Sequence, residues 1–150
     1  MAEHIRTTIR AAIKAQLVAA LPAIEIHSAR SRPIGMKGSG QVIEILIPRE
    51  RSSLQGLNCD NSPEYEREIE VMLIGYSAAT SDDGAADSAD LLALNIELAI
   101  HNDDKLGGKV QQMWLKNTDF TLDPASYSNA SFAQTWGVLV NISLADMSAA

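Results

Sequence analysis

Between Phe132 and Leu144, the apolar residues Phe132, Trp136, Val138, Val140, Ile142 and Leu144 fall on one parity, and Thr135, Asn141 and Ser143 on the other. Successive side chains of a strand point to opposite faces, so this run is a strand with one buried and one polar face. Such a strand is not stable alone. It needs hydrogen-bonded neighbours and a second layer over its apolar face.

Two segments can supply that layer. Residues 3–21 place Ile5, Ile9, Ala12, Ile13, Leu17 and Ala20 on one face at a spacing of about 3.6 residues; only Gln16 breaks the stripe, and Pro22 stops it. The second helix spans about residues 87–102, opening on Asp87, an acceptor suited to free N-terminal amides. It carries two apolar stripes, Ala89, Leu92, Ile96, Ala99 and Ile100 on one, and Leu91, Leu94 and Leu98 on the other. One stripe covers the sheet, and the other packs either on the first helix or on a neighbouring subunit.

Strand partners come from Ile24–His27, from Val42–Ile47 closed by Pro48, from Glu68–Ile74, and from residues 110–122, where Val110, Trp114 and Leu122 mark the apolar side. Trp114 and Trp136 both read as core anchors. Residues 49–64, 77–86 and 123–131 read as loops. Gly35, Gly38 and Gly40 make residues 31–41 a flexible hairpin arm with outward basic side chains. The expected fold is α+β in the order α-β-β-β-α-β-β: a mostly antiparallel sheet of four to five strands with two helices on one face, in one domain over 1–150.

Composition fits that picture. Apolar residues at 46% and charged residues at 21% describe an ordinary globule, and no apolar run is long enough for a membrane span. The single cysteine, Cys59, lies in a polar stretch and reads as a spare surface thiol. Arg6, Arg10 and Lys14 among Ile, Ala and Leu also match an amphipathic targeting sequence, but the expectation is a retained, ordered helix.

The net charge of −7 is unevenly spread: residues 1–51 hold eight Lys/Arg against four Asp/Glu, and residues 52–150 four against fifteen. An acidic chain with 5% aromatics lacks the basic grooves and stacking platforms that grip nucleic acid. Its polarity suits subunits that meet head to tail. Arg6, Arg10 and Lys14, at i, i+4 and i+8, form a basic ridge that is either a solvated face or a docking surface.

Catalytic signatures are weak. Asp82, Asp83, Asp87 and Asp90 form the best cluster for a hard cation, but the spacing is not that of a calcium loop, and a charged helix start explains it equally. Gly35–Gly40 lacks the Gly-Lys-Ser/Thr of a phosphate loop. His4, His27 and His101 sit in separate elements without a nucleophile motif. The expectation is no enzyme, no metal and no cofactor.

Three features taken in order resemble the tail terminator, or minor tail protein U-like, family of long-tailed phages. They are the opening helix from Ile5 to Leu21-Pro22 followed by a short strand, the acidic-start helix Ala86-Asp87-Ser88-Ala89-Asp90-Leu91-Leu92, and Leu106-Gly107-Gly108 leading into a strand before the long C-terminal strand. The resemblance spans nearly the whole chain and rests on order and size.

It implies a structural virion protein, assembled in the host bacterial cytoplasm. Such a protein is a homo-oligomer ring, typically of six, that caps the tail tube protein, ends its polymerisation and meets the head-tail joining protein. Double-stranded DNA would pass through the lumen without specific binding. No catalytic residue carries over. The charge distribution then nominates Arg6, Arg10, Lys14, Arg32 and Lys37 against Asp82, Asp83, Asp103 and Asp104 of the neighbouring subunit. The alternatives are a neck or head-completion protein, a cellular adaptor that engages its partner through the Gly-rich arm, and a metal-dependent hydrolase built on Asp82–Asp90.

Overall fold

In the computed structural model, residues 4–28, 40–57, 63–78, 82–123 and 129–143 are described. The elements are α1 (Ile5–Ala20), β1 (Glu25–Ser28), β2 (Gly40–Leu57), β3 (Pro63–Ala78), α2 (Asp82–His101), β4 (Gln112–Asp123) and β5 (Asn129–Ser143). They form one five-stranded sheet in the order β1-β2-β3-β5-β4. This is the expected α+β architecture, antiparallel at every pairing except β1 with β2.

The flexible hairpin arm expected at residues 31–41 falls largely in the connection between the parallel strands β1 and β2. The segment itself, with Arg32 and Lys37, lies outside the described residues, as does Cys59.

The helix stripes follow their sequence periodicity. Ile9, Ile13 and Leu17 of α1 are completely buried, and so are Leu92, Ile96 and Ile100 of α2. Helix α1 lies on β1 and β2, whereas α2 lies on β3 and β5 and only grazes β4. Between the helices and the sheet sit Ile43, Ile45, Val71, Leu73, Phe132 and Trp136. Burying side chains of this size contributes about 1.5–3 kcal/mol each.

Other boundaries moved. Residues 49–57 are not a loop, because β2 runs through Pro48 at a register shift between Leu46 and Arg49. Proline cannot donate to the ladder, and a bulge leaves it unpaired at little cost. Beyond the bulge, Arg49 faces Glu70 and Arg51 faces Glu68, opposite-charge neighbours that favour pairing. Helix α2 starts at Asp82, five residues earlier than Asp87, since acidic residues at a helix N-terminus and the Ala85-Ala86 pair both favour helix.

The sheet's outer face is less polar than alternation along β5 suggests. Met72, Ile74, Tyr76 and Leu139 lie there half-buried, and Trp114 lies there too instead of in the core. A bulge between Leu115 and Asn117 switches the parity of β4, so Met113 and Leu115 face the helices before it and Phe120 after it. Trp114 instead covers Gly137, where a Cβ would come within 2.5 Å of its ring.

The α2–β4 connection is a tight turn in which Leu106, Gly107 and Gly108 all have positive φ (50°, 69° and 84°). Leucine rarely adopts this conformation, and here its side chain is buried in return. The Asp103 carboxylate accepts the Gly107 amide at 2.7 Å and fixes the turn.

Candidate assembly surface

Helix α2 has two stripes, and among the described residues only one is buried. Opposite the buried stripe, Leu91 is 57% exposed, Leu94 48% and Leu98 59%. They recur at i, i+3 and i+7, so they form one outward row. The alternative left open by the sequence is therefore settled within one chain: α1 does not cover the row. Only Leu98 borders α1, in a groove lined with Gln16, Ala19, Ala20, Leu21 and Asn95.

The two helices meet at their C-terminal halves through Gln16. Its amide nitrogen donates to the carbonyl of Ala99 (2.7 Å), near the end of α2, and also reaches those of Asp103 (3.1 Å) and Ile100 (3.3 Å), which accept the Leu106 and Asp103 backbone amides as well. The break in the apolar stripe is thus a cap supplied by one helix to the other. A second polar link lies deeper. Buried Gln134 donates to the Ala93 carbonyl at 3.0 Å and accepts the Trp136 indole N–H at 3.2 Å, pinning α2 to β5.

The nominated charges are distributed as follows. Arg6 reaches Glu50 of its own chain at 3.5 Å, and Glu50 also holds Arg67 at 2.9 Å. Arg10 and Lys14 have no carboxylate partner among the described residues. Asp103 is engaged in the turn after α2, and Asp104 sits half-exposed beside it. Asp82 and Asp83 open α2, but their side chains lie outside the described set, as do Arg32 and Lys37.

One charged group escaped the sequence reading because it depends on strand register. On the outer sheet face, Arg49, Arg51 and Lys116 surround Glu68 and Glu70. Lys116 Nζ is 2.6 Å from Glu68, and this hydrogen bond, aided by the charges of Lys116 and Arg51, outweighs burial and lowers the Glu68 pKa. The i, i+2 spacing of Arg49 and Arg51 was the available signal, hidden by reading 49–64 as a loop.

The histidines have separate structural partners. His4 caps α1 by accepting the Arg6 amide, His27 pairs with Glu25, and His101 meets Trp136 edge-on at 6.0 Å. Among the described residues, no group of three or more His, Cys, Asp or Glu is placed to hold a metal ion, and no helix is long and apolar enough to cross a membrane.

No protein family and no curated protein matches the chain. Among solved structures, it is similar to the sheath/tube terminator, in its extended state, of an extracellular contractile injection system (PVC), solved by cryo-electron microscopy. That likeness is 14% identity and a TM-score of 0.48, over 96% of this chain and 59% of the other. The chain therefore spans a little under three-fifths of that protein's length. It is also similar to a chain of the virion of a native gene transfer agent particle, at 8% identity and a TM-score of 0.40, covering 89% of this chain and 95% of that one.

Proposed function

We propose that this chain is a non-enzymatic structural protein of a tail-like particle: a terminator subunit that assembles into a ring, caps the tail tube, ends its polymerisation and offers the surface to which the head is joined. The observation that carries the proposal is the uncovered Leu91–Leu94–Leu98 row on a helix whose other stripe is fully used. Exposed leucines in a continuous row mark a surface that another protein covers.

Two further features support assembly. The charged side chains of the two helices are segregated, basic on α1 and acidic on α2, as a head-to-tail contact between them requires. The net charge of −7 also suits a ring through which DNA passes without being held. On this reading the protein belongs to the virion, and its partners are further copies of itself, the tube protein and the head-tail joining protein. The ring number six comes from the family resemblance. A neck or head-completion role would use the same surfaces.

Negative-stain microscopy of the purified protein at high concentration and low salt tests this reading. Closed rings that also bind the ends of tail tubes are expected. A strict monomer that leaves tube ends bare overturns it.

A further inference from the structure

We infer, building on the ring reading above, that the flank of α2 carrying Asp90, Leu94 and Glu97 receives the Arg10–Lys14 ridge of α1 from a second copy of the chain. The charge separation is the first argument. Helix α1 carries Arg6, Arg10 and Lys14 and no acid, while α2 carries Asp82, Asp83, Asp87, Asp90 and Glu97 and no Lys or Arg.

Among the described side chains of one copy, Arg10 and Lys14 do not meet Asp90 or Glu97. The α2-facing side of α1 is marked by Gln16, and at about 100° per residue Arg10 and Lys14 lie roughly 120–160° away from it. The α1-facing side of α2 is marked by Asn95 in the shared groove, and by the same spacing Asp90 and Glu97 lie about 140–160° away. The opposite charges therefore occupy opposite flanks of the helical layer, above β1–β2 on one side and towards β4 on the other. Shifting one copy by a molecular width brings α1 of the next alongside α2 of the first.

Apolar contacts continue the match. Val18 follows Arg10 and Lys14 at the same spacing and is 46% exposed, and Leu94 lies between Asp90 and Glu97. Beneath that flank, β4 is the sheet's edge strand, and α2 leaves its Phe120 54% exposed in a shallow cleft with Ala86, Asp90 and Thr121. An α1 helix from a second copy would lie over Phe120 as well as beside Leu94.

The charges also choose between symmetries. A two-fold contact laying one α2 row on another would bring acidic residues against acidic residues. A head-to-tail contact brings unlike charges together and leaves the same pair of surfaces free at each end, so it repeats until a ring closes. Arg6 is already held by Glu50, so Arg10 and Lys14 carry the ridge.

The test is native mass spectrometry and light scattering of the full chain in three forms: R10E/K14E, D90K/E97K, and all four substitutions together. Each pair is expected to weaken assembly at least tenfold without altering the circular dichroism spectrum. The fourfold variant, with both charges exchanged, is expected to recover it. An oligomer indifferent to both pairs, or a fourfold variant that stays dissociated, overturns this interface and leaves the ring reading standing. A wild-type chain that is monomeric at every concentration overturns both.

Discussion

Gln16 of α1 stands 2.7 Å from the carbonyl oxygen of Ala99 near the end of α2, and the same amide nitrogen reaches Ile100 and Asp103. One side chain thereby serves the Ala99 carbonyl near the helix end and shares the other two with backbone amides. Gln16→Ala is expected to cost about 1–2 kcal/mol, a fall in Tm of about 4 °C for a chain of this size. Gln16→Glu should cost more at neutral pH, since it sets a carboxylate against the negative end of α2. Thermal denaturation of the two variants checks both the size and the order.

Gln134 makes a stronger demand because it is fully buried. Gln134→Leu keeps the volume but strands the Trp136 indole N–H, at a cost of about 1–3 kcal/mol. Chemical denaturation followed by tryptophan fluorescence should show an earlier midpoint with an unchanged slope.

Gly75 lies beneath the Phe132 ring, in direct contact with the site a Cβ would fill. Gly75→Ala should destabilise the fold by about 1–3 kcal/mol through overpacking. Phe132→Leu added to it should cost less than the sum of the two single changes, because the smaller side chain makes room. A double-mutant cycle measures this coupling.

Among the described residues, Glu68 has a lowered carboxylate pKa, held down by the hydrogen bond from Lys116. Its contribution to stability is present above the ordinary carboxylate value of about 4.3 and is lost as pH falls through the folded value. Both side chains are substantially solvated, so the effect on stability is small. Lys116→Met should move the Glu68 titration upward, a shift that NMR follows directly.

Much of the fold was legible because periodicity reports burial. Ile9, Ile13 and Leu17, Leu92, Ile96 and Ile100, and the β5 run from Phe132 to Ile142 all lie where their spacing puts them. Apart from the early start of α2, which is a matter of local helix preference, the misses share one cause, pairing between distant segments. Arg49 and Arg51 look like loop residues until Glu70 and Glu68 stand opposite them, and Trp114 looks like core until the bulge before Asn117 is known. The second α2 stripe was visible in sequence, but its exposure needed the position of α1. Of the nominated charges, Arg6 and Asp103 turn out to be occupied in their own chain, a fact of geometry that charge counting does not contain.

The central claim is that the uncovered row on α2 exists for contact with further copies. Native mass spectrometry of the intact 16.2 kDa chain at low salt, over a wide concentration range, addresses it most directly. The account predicts one discrete closed oligomer that dissociates when salt is raised and when Leu91 and Leu94 are replaced by serine. A monomer mass at every concentration, or an oligomer unchanged by those substitutions, would contradict it.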